Sequence, residues 1–432
     1  MNSQEIVDLS REYTFFSWAV QGSINPIPIE RSEGIYFWDA DGKRYFDFSS
    51  QLMNMNIGHH HPKVIKAIQD QAEKLAFAHP SMATDVRAQA GQKIAKIAPG
   101  NLKKTFFCLG GAEANENAIK IARFYTGKHK ILSRYRSYHG ATFGAIALTG
   151  DYRRLAVEPA MPGAVHFMDP HCYRCPFGWT KETCHRECIK HVEDVIQFEG
   201  PQTIAAIIME GVTGSNGLIV PPDDYWPKIR RICDKYDILL ISDEVMSGWG
   251  RTGEWFAVNH WDVVPDIITT AKGITSGYTP LGAVIVSEPI AKFFDDKYLY
   301  CGLTYSAHPL CLAAAVATME VYEEDCLIEN ARKLGNYLGE KLENIKVSHP
   351  CVGDVRYIGL FSAIELVKNR ESKEPMNLAD LGKFLRDQGL FTFIFNNVVF
   401  VVPPLCITKE QLDEGLSIIE SGLSLMDRNT EN

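Results

Sequence analysis

A chain of 432 residues is long for one small core and fits a large domain joined to a smaller one. Its 46% apolar and 22% charged residues are those of a globular protein, and a net charge of -9 argues against nucleic acid or an anionic membrane as main partner, since both require a basic face. No run reaches the length of a membrane span, Met1 to Asp8 lacks the basic and apolar regions of a secretory leader, and eleven cysteines in so long a chain do not make a disulfide scaffold. The expectation is a cytoplasmic protein acting on a small molecule.

The first predicted elements are two short aromatic runs, Gly34 to Asp39 and Arg44 to Phe48, around the Asp41-Gly42 pair, which read as a β-hairpin. From Thr105 the pattern becomes strands alternating with helices. Thr105 to Cys108, Lys130 to Ser133, Ile204 to Met209, Ile238 to Ser242, Asp266 to Thr269 and Ala283 to Val286 are apolar runs, with helical periodicity over Ala112 to Tyr125 and Tyr225 to Lys235. Near-continuous apolar strands separated by helices predict a mostly parallel α/β sheet buried on both faces.

After Ser306 the pattern shifts to helices over Pro309 to Tyr322 and Leu327 to Glu343, strands within Val355 to Leu366, Phe391 to Phe395 and Val398 to Val402, and a last helix capped by Thr408. The expected division is an N-terminal segment over 1–50 that packs with the small domain, a large domain over 51–305 with a cysteine-rich insertion near 171–191, and a small α+β domain over 306–432.

Two charged residues follow neighbouring apolar runs: Asp243 closes Ile238 to Ser242, and Lys272 lies just past Ile267 to Thr270. A carboxylate and an amine at the same ends of buried strands suit pyridoxal phosphate, one facing the pyridinium nitrogen and the other forming a Schiff base. Strand ends also carry charges merely for solvation, so the pair needs company. Gly110-Gly111-Ala112 at a strand-to-helix junction provides a candidate phosphate cradle, because glycines let backbone amides approach an anion at the positive end of a helix. Tyr138-His139-Gly140 offers a ring able to stack on a planar group, and the pleat is expected to turn Val245 to the same side as Asp243.

Six ordered motifs resemble the class III pyridoxal-phosphate aminotransferases across essentially the whole chain. They are Gly110 to Glu116, Tyr138 to Gly140, Glu210 to Gly217, Asp243 to Val245, Ala271 to Gly273 and Gly302 to Pro309. The resemblance implies a fold type I transferase whose large domain binds the cofactor. It implies Lys272 as the covalent attachment point, Asp243 at the ring nitrogen, Tyr138 with His139 against the ring and Val245 behind it. It further implies Gly111 and Ala112 at the phosphate and Glu210 near the ring hydroxyl. Thr304 would reach the phosphate of a neighbouring subunit, making the active unit a homodimer with shared sites, or a tetramer built from it.

Ornithine and 4-aminobutyrate members of that family carry an arginine where this chain has Ala141, and a second where Phe400 lies before Pro403-Pro404-Leu405; Ser215 replaces that arginine's glutamate partner. Both activities are therefore disfavoured. Arg153 and Arg154 are the candidate cations for an acidic substrate end, Arg153 the first, because forked donors suit carboxylate or sulfonate oxygens, and Trp18 is a candidate wall. The tract Gly150 to Arg154, with Val220 to Asp223 and Val402 to Pro404, is similar to the taurine aminotransferase branch. Taurine is the first expected donor and β-alanine the second, with 2-oxoglutarate or pyruvate as acceptor. A racemase, aminomutase or decarboxylase on the same fold is the alternative; a non-catalytic scaffold is disfavoured by the intact Lys272, Asp243 and Tyr138.

Cys172, Cys175, Cys184 and Cys188 form a compact quartet with His171, His185 and His191 nearby. A structural zinc, buried thiols and a redox pair all remain open readings.

Overall fold

The computed structural model describes residues 1–180 and 182–431. At its centre lies a seven-stranded sheet in the order Leu102–Cys108, Gly282–Ser287, Ile267–Thr270, Leu239–Asp243, Ile204–Glu210, Lys130–Arg134, Ala164–Phe167. Every residue of Ile204–Glu210 and of Gly282–Ser287 is buried, as expected for strands covered by helices on both faces.

All strands run in one direction except Gly282–Ser287, which is antiparallel to both neighbours. The stretch after Ile267–Thr270 is too short to build a helical crossover, so the chain turns back on itself and pairs antiparallel. The helix Gly111–Thr126, closed by Gly127 at φ +69°, covers the sheet next to Leu102–Cys108. Ala164–Phe167 is an edge strand that the sequence reading passed over, because three of its four residues are only half buried and its pattern is neither alternating nor uniformly apolar.

The predicted hairpin exists as Tyr36–Asp39 and Arg44–Asp47, joined by Ile29–Glu33 on one side and by Leu390–Phe391 on the other. The N-terminal sheet therefore contains a strand contributed from far down the chain. A third sheet, ordered Val352–Ile358, Phe361–Leu366, Val398–Val401, Ile394–Phe395, is wholly antiparallel. Helix Lys409–Met426 begins at Thr408, whose side chain accepts the Gln411 amide while Gln411 reaches back to Thr408, a reciprocal cap. Helix Pro309–Glu324 is buried along nearly its whole length and packs on helices Pro62–Lys74 and Asp85–Ile97. No described helix is long and apolar enough to cross a membrane.

Candidate active site

Glu210, Asp243 and Thr270 end three adjacent strands, with Glu210 paired to Asp243 and Asp243 to Thr269 across the ladder. Their carboxyl ends open on a cleft of about 1140 Å³ that also receives Gly111, Tyr138 and Lys272. Strand ends of an open parallel sheet are where such folds leave room for a ligand.

Asp243 is almost fully buried and accepts three hydrogen bonds: from Asn115 Nδ2 (2.8 Å) and His139 Nδ1 (2.7 Å) at Oδ2, and from the Val245 amide (3.0 Å) at Oδ1. Because a carboxylate only accepts, His139 must carry its proton on Nδ1. The Thr149 hydroxyl fixes the His139 amide at 3.0 Å, and Asn115 also donates to the His139 carbonyl at 2.7 Å. Asn115 escaped the sequence reading although it lies four residues after Gly111; one helical turn places it over the same cleft.

The expected pleat relation between Asp243 and Val245 is not what the structure shows. The strand ends at Asp243, and Val245 lies in the turn beyond it, tied there by its amide bond to the aspartate. Val245 still reaches the cleft, where it packs so close to Gly111 that a Cβ at Gly111 would lie 2.8 Å from Val245 Cγ1. Gly140, at φ +132°, is closed in the same way, with Ala112 Cα 2.7 Å from where a Cβ would be. Only glycine fits either contact.

Lys272 follows the strand in a short 3-10 turn at φ +50°, a strained backbone for a side-chain-bearing residue. Its surface is half-buried because it opens on the cleft, yet the packing around its ammonium pushes its pKa down to about 8, against the opposing pull of Asp243 and Glu210. Among the described residues the ammonium has no hydrogen-bonded or ion-paired partner. Glu210 is buried, which raises its pKa, and accepts the Tyr138 amide at 3.0 Å and the Gly214 amide at 2.7 Å.

Arg153 lines the cleft, but not as a bare cation. Asp151 accepts from its Nε (3.0 Å) and also from Nη2, which donates in addition to Ser215 Oγ at 3.0 Å. Asn216 Nδ2 donates to the same aspartate at 2.9 Å. The guanidinium carbon lies 4.1 Å from the Tyr138 ring centroid, and Trp18 meets Tyr138 edge-on at 6.1 Å. Trp18 is 59% exposed on the cleft rim rather than packed in a core. Arg154 turns away to Glu158. Phe400 is fully buried on its strand, and Thr304 is exposed and does not line the cleft.

Of the cysteine quartet, Cys188 is buried and Cys172, Cys175 and Cys184 are half-buried. Among the described residues no three His, Cys, Asp or Glu side chains lie close enough to hold a metal ion. Cys188 sits in the first turn of helix Glu187–Glu199 and is buried in the core, which pushes its thiol up to about 12, while Cys184 Sγ turns toward Glu187 Oε2 at 3.6 Å. Cys184 and Cys172 both lie near enough to Cys188 to act on its thiol, so the segment brings part of the quartet together. Lys181, inside it, lies outside the described residues.

With this geometry in place, residues 18–423 match the class III aminotransferase family, and the chain belongs to that family. It is a pyridoxal-phosphate enzyme of fold type I. The taurine:2-oxoglutarate aminotransferase of Bifidobacterium kashiwanohense, solved with pyridoxal phosphate and glutamate, is 42% identical, with a TM-score of 0.96 over 100% of this chain and 99% of that one. The taurine–pyruvate aminotransferase of Bilophila wadsworthia is 33% identical over 98% of both chains. A leucine/methionine racemase of Thermococcus litoralis is 37% identical over 98% of this chain and 96% of its own.

The residues present fit the cofactor. The helix after Gly110 has no side chain capping its first amides, and nothing lies within 4 Å of the position a Gly110 Cβ would take, which leaves an open anion cradle.

Proposed function

We propose that the chain transfers the amino group of a short ω-amine with an acidic far end to a 2-oxo acid, with taurine as first donor and β-alanine as second. The observation that carries the transfer chemistry is Lys272: an amine without a partner among the described residues, its pKa pushed down to about 8, in one cleft with an aspartate held by His139 and Asn115. When bound, pyridoxal phosphate supplies an electron sink for the pair left on the amine-bearing carbon as that carbon loses its proton. Lys272 would hold the cofactor through its side-chain nitrogen, and its amine is the base in the cleft that would take up and return that proton. Asp243 would face the ring nitrogen, where a negative charge held by His139 and Asn115 would favour the protonated ring. Tyr138 and Val245, which line the cleft, would flank the ring, Gly111 and Ala112 would hold the phosphate through their amides, and the Glu210 carboxyl would serve the hydroxyl side.

The acidic end of the donor is received at Arg153, beside Trp18 and Tyr138. Nη1 has no protein acceptor among the described residues, so this one corner of the fork is open. The similarity to two taurine aminotransferases supports taurine, and their different acceptors leave 2-oxoglutarate and pyruvate both to be assayed. We place the enzyme in the cytoplasm as a homodimer in which Thr304, exposed on the single chain, meets the partner's cofactor phosphate.

The test is to expose the holoenzyme to taurine, β-alanine, 4-aminobutyrate and ornithine separately, without oxo acid. Loss of the visible band of the lysine-bound cofactor with taurine, together with sulfoacetaldehyde in the supernatant, is expected. A band that all four leave unchanged refutes the donor assignment. The racemase relative supports a second reading in which leucine or methionine is epimerised; deuterium uptake at the α-carbon without consumption of oxo acid would select it.

A further inference from the structure

One wall of the cleft is built on backbone that its residues disfavour. Ser50, Gln51 and Met53 have φ of +46°, +56° and +54°, and Gln51 combines this with ψ -95°, close to a γ-turn of the rare strained kind. None is glycine, and left-handed backbone in residues with a Cβ persists only where the surroundings impose it.

The surroundings here are a buried polar clamp. Asp47, fully buried, accepts from the Ser49 amide (3.3 Å), the Gln51 amide (2.8 Å), Gln51 Nε2 (3.1 Å) and His59 Nε2 (2.8 Å). Arg251, also fully buried, donates through Nη2 to Ser50 Oγ (3.0 Å) and Asn56 Oδ1 (2.8 Å). Its Nη1 donates to the carbonyls of Leu360 (3.1 Å) and Pro403 (2.6 Å), and Ser50 Oγ donates to the Val402 carbonyl at 2.7 Å. Asp47 and His59 come from the N-terminal part of the chain, Arg251 from a loop beyond Asp243, and the carbonyls from the C-terminal sheet and the segment after it.

What the clamp presents is Leu52, Met53 and Asn54 on the cleft that holds Lys272. Leu52 is 57% exposed on the single chain, so among the described residues no side chain of its own chain holds it down, and its amide is fixed to Asn54 Oδ1 at 3.0 Å. We propose that Asp47, His59 and Arg251 are positioning residues that force the Ser49–Asn54 turn into its strained form, and that this turn sets how much bulk the cleft admits beside the reacting carbon. The proposal rests on the reading that the cleft receives an amine.

Asp47→Asn, His59→Gln and Gln51→Gly are compared with wild type as holoenzymes. Glycine at 51 adopts the observed φ without strain and removes only the Nε2 donor to Asp47 while keeping the residue's backbone amide bond to it, with His59 and Arg251 in place, so this variant keeps the fold even if the buried substitutions do not. The readouts are melting temperature, cofactor absorbance, and the ratio of kcat/KM for an unbranched donor over one branched next to the amine, with the same ratio of affinities from spectral titration. For Gln51→Gly, an unchanged or higher melting temperature, retained cofactor and a ratio lowered about tenfold, mainly through KM, is the expected result. A ratio equal to wild type in every variant that folds overturns the proposal while leaving the transaminase reading intact. A wild type that neither binds nor converts any amine overturns both.

Discussion

His139 Nδ1 and Asp243 Oδ2 are 2.7 Å apart, with both side chains sealed from solvent, and among the described residues no other ring donates to that carboxylate. His139 thus orients and partly compensates a buried negative charge that would otherwise rest on Asn115 and one backbone amide. Replacing it by alanine removes one donor from a charged group, a loss of about 1–3 kcal/mol. His139→Ala is expected to lower kcat by roughly tenfold to a hundredfold while the amine KM moves little. Steady-state kinetics on the holoenzyme, with cofactor occupancy measured in parallel, checks this.

Lys272 carries the pH dependence of cofactor capture. In the folded chain its pKa is down to about 8 from an ordinary 10.5, so its reactive neutral form is largely populated once the pH passes 8. The rate at which apoenzyme takes up pyridoxal phosphate is expected to rise with pH and to level off above about 8. Between the two values the unfolded chain holds a proton the folded one lacks, so this group also makes apoenzyme stability rise with pH across that window. Stopped-flow absorbance and thermal melts across the range follow both; a rate still climbing steeply at pH 10 contradicts the assignment. Lys272→Ala should retain the fold and lose transamination.

Arg153 and Asp151 bury their charges against each other, each side chain only 9% exposed, so an incoming anion competes with an anion already in place. Asp151→Asn is expected to lower KM for taurine and β-alanine, whereas Arg153→Ala raises it. A charged hydrogen bond of about 1.5–3 kcal/mol corresponds to roughly a tenfold to hundredfold change in each direction. The comparison is made against a neutral amine, whose KM should follow neither substitution.

Gly140→Ala forces a Cβ to within 2.7 Å of Ala112 Cα at a backbone angle of φ +132°. The contact lies where the first turn of helix Gly111–Thr126 meets the Tyr138 segment, so the variant is expected to lose cofactor affinity before it loses its fold. Equilibrium dialysis with pyridoxal phosphate, alongside circular dichroism, separates the two.

Much of this site could be read before the fold was known, for a physical reason: buried parallel strands are apolar runs, so a charge that closes one is conspicuous. Asp243 and Lys272 announce themselves in this way, and Gly110-Gly111 is marked by its place between a strand and a helix. The association of Arg153 with Asp151 and Ser215 was not legible, because Ser215 is 62 residues away and side chains this distant share no periodicity. The placement of Val245 was misjudged because a pleat was extended one turn past the last ladder bond. The clamp around Ser50 was equally silent, since nothing in Ser49-Ser50-Gln51 signals left-handed backbone in the absence of glycine.

The reversed strand Gly282–Ser287 separates Leu102–Cys108, which leads to Gly111, from Ile267–Thr270, which leads to Lys272. Adjacent strands are held about 4.8 Å apart by their ladders, so one interposed strand fixes these two anchors roughly 10 Å apart at the sheet. That span is a property of main-chain spacing and cannot be tuned by exchanging side chains. Trp18, Leu52, Tyr152 and Phe395, by contrast, line the same cleft from outside the seven-stranded sheet. Divergence toward new amines is therefore free to proceed at the rim while the distance between the anchors stays constant, as a gauge block keeps its length whatever is set around it.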